Sequence, residues 1–94
     1  MTGIKHDEGK LRLADFITDF KDVFQELALI YEFGTNKYGR KNWSKVENGY
    51  ERYSNALMRH FLSEGTDAET GIDHQAHVAY NALMRLHFIL EEKG

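Results

Sequence analysis

Apolar residues recur at intervals of three and four along most of the chain, which is the spacing of amphipathic helices. This spacing predicts three helices, over residues 19–33, 48–65 and 74–92. Asp19 and Asp73 are suitable N-caps for the first and third helices, and Gly34 is a natural end for the first. The residues before position 19 are predicted to be extended or irregular, apart from a short turn of helix near Leu13–Phe16.

Each predicted helix has an apolar face. The first carries Phe20, Val23, Phe24, Leu27, Ile30 and Tyr31, and the second carries Tyr50, Tyr53, Leu57 and Phe61. The third is apolar around most of its circumference, which is typical of a helix at the centre of a fold or covered by a neighbouring subunit. We therefore expect an all-α fold, a small three-helix up-down domain with an irregular N-terminal arm, which completes its core by homo-oligomerisation.

Composition narrows the class of protein. The 94 residues fit one domain, 1–94, and a chain this short buries a limited core, which again favours a homo-oligomer. There is no cysteine, which fits a reducing cytoplasm and excludes thiol catalysis and cysteine-bound zinc. The net charge of -3 argues against a duplex nucleic acid as partner. The N-terminus is polar, which argues against a signal peptide, and no apolar run is long enough to span a membrane. We therefore expect a cytoplasmic protein.

The third predicted helix begins with a polar motif. His74, His77 and Asn81 follow one another at spacings of three and four, so their side chains share one helical face. Histidines at this spacing can bind a metal ion, and the same side chains can equally bond a phosphate or the edge of a base. The alternative is a capped helix start with a half-buried histidine that is merely packed.

Carboxylates are concentrated between the second and third predicted helices. Glu64, Asp67, Glu69 and Asp73 lie close together in the sequence, and His60 precedes them. Carboxylate oxygens of this kind, together with water and substrate phosphates, suit Mg²⁺. The alternative is a solvated acidic turn that supplies helix caps.

Two segments are basic. The segment Lys37–Trp43 combines three cations and two aromatic rings with Asn42. Cations neutralise phosphate, aromatic rings stack on a base, and an amide can read a base edge, although Trp43 can also serve to anchor the segment to the core. The second segment carries Lys5 and Lys10 near the N-terminus, and it is either a mobile tail or an arm that closes over a phosphate. Neither segment has the spacing of a Walker loop.

Four motifs follow one another along the chain: K-x-D-x-G-K, F-G-x-x-K-Y-G-x-x-N-W, A-L-x-R-H and G-x-D-x-E-x-G-x-x-H-x-x-H-x-x-x-N-A-L. They occupy Lys5–Lys10, Phe33–Trp43, Ala56–His60 and Gly65–Leu83. With this series the chain resembles the dATP/dGTP diphosphohydrolase N-terminal domain family of phages and bacteria, which is grouped with the MazG-like all-α nucleotide pyrophosphohydrolases. The resemblance implies hydrolysis of a deoxynucleoside triphosphate between its α and β phosphates, giving the monophosphate and pyrophosphate with Mg²⁺ as cofactor.

The resemblance also implies roles for individual residues. The catalytic candidates are Glu64, Asp67 and His60, and the candidate metal ligands are Glu64, Asp67 and Glu69. The candidates for holding phosphates are Lys5, Lys10, Lys37 and Arg59, while Tyr38, Asn42 and Trp43 would shape the base end and His74, His77 and Asn81 would line the same pocket. One departure stands out: MazG-like enzymes carry magnesium on an E-x-x-E pattern followed by a distant E-x-x-D, and this chain has no E-x-x-E.

Three functions are consistent with the sequence. The motif series favours a metal-dependent nucleotide pyrophosphohydrolase. The absent E-x-x-E pattern favours a non-catalytic protein that sequesters a nucleotide, such as a phage sponge for a cyclic or modified nucleotide signal. A helical interaction module, whose histidines are simply packed in the core, would require neither a substrate nor a metal ion.

Overall fold

The computed structural model describes Gly3 and residues 9–94 of the chain, and helices dominate this part. The described part contains four α-helices, α1 (Leu13–Asp19), α2 (Lys21–Tyr38), α3 (Gly49–Phe61) and α4 (His74–Lys93), and a short 3-10 turn (Asn42–Lys45). The predicted all-α class is confirmed, and α2, α3 and α4 correspond to the three predicted helices. Within the described residues, no helix combines the length and the apolar character that crossing a membrane requires.

The short turn of helix predicted near Leu13–Phe16 is confirmed as α1, but this helix is longer than predicted and extends to Asp19. Asp19 ends this helix and does not cap α2; the N-cap of α2 is Phe20, with φ -114° and ψ 30°. The backbone bonds continue across the junction, since the N–H of Phe20 donates to Phe16 at 3.3 Å and the N–H of Phe24 donates to Phe20 at 3.0 Å. The chain therefore bends between α1 and α2 without leaving these backbone donors unpaired.

Gly34 does not end α2, which continues to Tyr38 and stops before Gly39. Gly39 has a φ of 95°, which disfavours side-chain-bearing residues, and its N–H closes the last turn on the carbonyl oxygen of Thr35 at 2.8 Å. A glycine inside a helix costs only about 1 kcal/mol relative to alanine, so Gly34 is tolerated within α2. As a result, Lys37 lies on the last helical turn and not on a flexible loop.

The helices α3 and α4 form the centre of the fold. Gly49 is buried at the start of α3, and a Cβ atom on it would lie 2.5 Å from Cζ of Phe88 on α4. The ring of Tyr53 stacks on the same phenylalanine with its centroid 5.9 Å away. Near this end, Nη2 of Arg85 donates to the hydroxyl of Tyr50 at 2.6 Å. Close packing and one polar bond therefore fix how α3 lies against α4.

The helix α3 ends at Phe61, short of the predicted end at Gly65. The N–H of Leu62 donates to Met58 at 3.0 Å and the N–H of Ser63 donates to His60 at 3.1 Å, which completes the last turn. Phe61, predicted to face inwards, is 61% exposed, because it lies in the terminal turn where no described element covers it. Residues 62–73 form the connection to α4.

The apolar core is small. Its buried apolar side chains are Ile30, Ile72 and Met84, and no side chain in the described part of the chain is almost completely inaccessible. Along the predicted apolar face of α2, Ile30 is buried whereas Phe20 and Val23 are about half exposed. Exposed apolar area of this extent is typical of a surface that another chain or segment covers. Homo-oligomerisation stays a prediction.

Candidate functional site

The connection between α3 and α4 is a closed turn. The N–H of Asp67 donates to the carbonyl oxygen of Ile72 at 2.9 Å, the N–H of Gly71 donates to Asp67 at 2.8 Å, and the N–H of His74 donates to Gly65 at 2.9 Å. Gly65 and Gly71 both have positive φ, at 77° and 74°. Ile72 is buried in the core and holds the turn against the helices. This turn fixes the position of the Asp67 side chain between two helices that carry histidines.

A chain of hydrogen bonds runs from Asp67 to His77. Oδ2 of Asp67 accepts from the hydroxyl of Thr70 at 3.1 Å and from the backbone N–H groups of Thr70 and Glu69 at 2.9 and 3.1 Å. The Thr70 oxygen also lies 2.7 Å from Nε2 of His77. Since a threonine hydroxyl has one hydrogen, and Asp67 receives it, Nε2 of His77 must be the donor. Hydrogen bonding from Thr70, chiefly from its backbone N–H, holds the pKa of Asp67 below its ordinary value.

Three histidine side chains meet beside this chain of bonds. Nδ1 of His60 lies 2.8 Å from Nδ1 of His74, so one of these nitrogens donates and the other accepts. The ring of His60 stacks on the ring of His77, with centroids 4.3 Å apart and an interplanar angle of 11°. Burial is the main cause that lowers the pKa of both His60 and His77. These two imidazoles are therefore held in the neutral form, which is the form that can bind a metal ion.

The described residues contain one group that could hold a metal ion, formed by His60, Asp67 and His74. Each offers a ligand atom, and these atoms all lie within 4.8 Å of one another. Of the three predicted carboxylate ligands, only Asp67 belongs to this group. Glu69 is exposed and its Oε2 accepts from Nζ of Lys37 at 2.6 Å, and Glu64 is exposed on the connection after α3. Within residues 9–94, the three predicted carboxylates therefore do not come together as one site for Mg²⁺.

A cleft of about 750 Å³ opens beside the cluster, between the end of α2, the 3-10 turn, α3 and α4. This volume lies in the range of small-molecule sites. The predicted site residues that line it are Tyr38, Asn42, Trp43, Arg59, His60, Glu69, His77 and Asn81. Lys37, Asp67 and His74 do not line the cleft themselves but bond to residues that do, namely Glu69, Thr70 and His60. Lys10 is exposed before α1, and Lys5 lies outside the described residues.

Several lining residues were not predicted as site residues. Thr70 follows Asp67 by three residues, and this spacing of an aspartate and a threonine in a turn is a signal for the side-chain bonds seen here. Tyr53 and Tyr80 line the cleft on the faces that also carry His60 and His77. Burial raises the pKa of Tyr80 to about 12, so its hydroxyl stays protonated. Helical spacing from the histidines could have identified both tyrosines.

The chain is similar to known proteins over almost its whole length. The profile of the family described as "dATP/dGTP diphosphohydrolase, N-terminal" matches residues 1–94. The chain belongs to this family. It is also similar to a protein of Salmonella phage PMBT28 named "dATP/dGTP diphosphohydrolase", with 38% identity over 97 residues that cover 99% of this chain. The chain spans 31% of the length of that relative. No solved structure matches the chain.

Membership of the dATP/dGTP diphosphohydrolase N-terminal family confirms the resemblance found in the four motifs. The motif residues Lys37, Arg59, His60 and His77 come from separate segments, and the structure brings them to the cleft or to its edge. The basic motif and the histidine-bearing motifs therefore lie in one region of the fold. The first motif, Lys5–Lys10, lies almost wholly outside the described residues.

Proposed function

We propose that the cleft of this dATP/dGTP diphosphohydrolase N-terminal domain binds a deoxynucleoside triphosphate and hydrolyses it to the monophosphate and pyrophosphate, with the help of a divalent metal ion. The observation that carries the proposal is the cleft itself, where cations and aromatic rings lie beside a histidine–aspartate cluster. The name of the phage relative supports the substrate class. The cluster residues His60, Asp67 and His74 are of the types that bind divalent ions.

Phosphate binding would involve the cations at the edge of the cleft. Arg59 lines the cleft from α3, and its guanidinium can bond two phosphate oxygens at once. Lys37 is bonded to Glu69, and this bond is the main reason that the pKa of Lys37 is raised. Both partners are exposed, so solvent screens their attraction and a triphosphate can replace Glu69 as the partner of Lys37.

The base would lie among the aromatic residues that line the cleft. Tyr38, Trp43 and Tyr53 line this region, and Asn42 adds an amide that can bond a base edge. Trp43 also packs edge-on against the ring of His87, with centroids 4.8 Å apart. The indole therefore anchors the 3-10 turn, which is the anchoring role considered for Trp43 from the sequence. It also forms part of the wall of the cleft.

The reaction requires that a water oxygen bonds to phosphorus, that pyrophosphate leaves with the bridging oxygen, and that the water loses a proton. A divalent ion, when bound, neutralises phosphate charge and lowers the pKa of a water molecule. Among the chain's own groups, the carboxylate of Glu69 lines the cleft and becomes free to accept the proton when Lys37 bonds to phosphate. Glu64 lies away from the cluster, and its catalytic role stays a prediction from the family resemblance.

A pyrophosphate-release assay with a panel of deoxynucleoside triphosphates tests this function. The wild-type protein should release pyrophosphate in the presence of a divalent ion. Glu69→Gln should still bind the substrate but should release pyrophosphate at least ~100-fold more slowly, as expected for loss of a general base. Glu26→Gln, on the exposed surface of α2, is the matched control and should retain activity. Stoichiometric binding that returns every nucleotide unchanged would instead identify a sequestering protein.

A further inference from the structure

We propose that His60, Asp67 and His74 form a binding site for an imidazole-preferring transition ion of the Zn²⁺ and Co²⁺ class, and that this site selects such ions over Mg²⁺. The ligands are Nδ1 of His60, Nδ1 of His74 and one carboxylate oxygen of Asp67. The biological role of the ion rests on the proposed function, but the site itself follows from the geometry of the cluster. It differs from the carboxylate set that the family resemblance implies for magnesium.

The two histidines already face each other through the atoms that would bind the ion. Nδ1 of His60 and Nδ1 of His74 are 2.8 Å apart. Two nitrogen ligands at the usual zinc–nitrogen distance in a tetrahedral site lie about 3.3 Å apart. The rings therefore need to separate by only roughly 0.5 Å. The ring that donates its Nδ1 proton must move this proton to its own Nε2, so that both imidazoles bind the ion as neutral ligands.

Asp67 is held in position by the other oxygen of its carboxylate. The hydrogen bonds from Thr70 and Glu69 all go to Oδ2. Among the described residues none donates to Oδ1, so that oxygen keeps its lone pairs. Carboxylates that bind metals are commonly oriented by hydrogen bonds in this way.

His77 acts as a positioning residue for the other three. It is only 6% exposed, it supports His60 by ring stacking, and its Nε2 is engaged by Thr70, which in turn bonds to Asp67. One buried side chain thus orients ligands from both α3 and the closed turn. Metal-binding residues that are held by their neighbours lose less freedom on binding, which favours affinity.

The ligand types decide the class of ion. Two of the three ligands are imidazole nitrogens, which suit Zn²⁺ and neighbouring transition ions, whereas Mg²⁺ prefers oxygen ligands and retains water. Two further carboxylates that could have added oxygen ligands are not available in the cluster. Glu69 is bonded to Lys37, and Glu64 is outside the group.

Calorimetric titration of the full chain with ZnCl₂ tests the site without any nucleotide. We expect one Zn²⁺ per chain, bound at least ~10-fold more weakly by His74→Gln and by Asp67→Asn, by analogy with the 10–100-fold cost of losing a group that supports a metal site. The control His87→Gln removes a half-buried histidine from the same helix outside the cluster and should keep wild-type affinity. A thousand-fold excess of Mg²⁺ should not displace the Zn²⁺. Equal affinity in wild type and both ligand variants would overturn the proposal, as would displacement by equimolar Mg²⁺.

A measurement on the wild-type protein covers the case in which a variant fails to fold. Nitrogen-15 spectra of the imidazoles should show Zn²⁺-dependent shifts at Nδ1 of His60 and His74, and smaller changes at His87. Shifts confined to other histidines would overturn the assignment. Pyrophosphate release is measured separately, so zinc binding without hydrolysis would reject the proposed function alone, and hydrolysis with Mg²⁺ but no zinc binding would reject this site alone.

Discussion

Replacement of Thr70 by valine keeps the shape of the side chain and removes its hydroxyl. In the wild-type protein this hydroxyl donates to Asp67 and accepts from Nε2 of His77 and from the N–H of Ile72, at 3.1, 2.7 and 3.2 Å. The variant leaves the His77 donor unpaired at a buried position and also frees the Ile72 N–H. An unsatisfied buried donor costs about 1–3 kcal/mol, so we expect a loss of about 2 kcal/mol in the free energy of unfolding.

Differential scanning calorimetry measures this loss. For a domain of this size, 1 kcal/mol corresponds to a Tm change of about 4–8 °C, so Thr70→Val should lower Tm by about 8–16 °C. The matched control is Thr18→Val on exposed α1, which should change Tm by no more than about 2 °C. Equal Tm values for the two variants would refute the reasoning, because they would show that the bonds from Thr70 to Asp67 and His77 contribute nothing to stability.

Three further predictions concern packing, pH and substrate binding. Gly49→Ala places a Cβ atom 2.5 Å from Cζ of Phe88, so urea denaturation should show a loss of about 1–3 kcal/mol, and an unchanged midpoint would contradict the close approach of α3 and α4. Burial lowers the pKa of His60 and His77 in the folded protein, so the unfolded chain binds more protons below about pH 6.5. The stability that this burial provides should therefore be fully present at neutral pH and should fall as the pH drops below 6.5 towards the lowered pKa values. Thermal melts in which Tm rises over this range would contradict the burial of the two imidazoles. Lys37→Met should raise KM for a deoxynucleoside triphosphate while Tm stays within about 2 °C of wild type, and an unchanged KM would exclude this lysine from phosphate binding.

The helices were predictable from sequence because apolar spacing reports which positions face a core. The ends were less predictable, as the glycines of α2 show. Gly34 and Gly39 look equally suited to end a helix, but only Gly39 adopts a positive φ, and the spacing of apolar residues does not distinguish the two. His60 and His77 were candidates for one pocket only through the family resemblance, and the structure places their ring centroids 4.3 Å apart.

The metal-binding group shows where sequence spacing fails. Glu64 follows His60 by one helical turn, and a continuous helix would have placed both on one face. The helix α3 ends at Phe61, so Glu64 leaves that face, while Asp67 returns to the histidines through the closed turn. Backbone hydrogen bonds within residues 65–74 place Asp67, and not Glu64, beside the histidines. The periodic spacing of residues in the sequence does not predict these bonds.

The side chains that α4 buries most deeply include two polar ones, His77 and Asn81, beside the apolar Met84. Leucine at these two buried positions would add apolar burial and would favour stability alone. We therefore expect Asn81→Leu to raise the free energy of unfolding in urea and, because Asn81 lines the cleft, to weaken binding of the proposed nucleotide substrate. The limited apolar burial of α4 is thus a consequence of keeping polar side chains at the wall of the cleft.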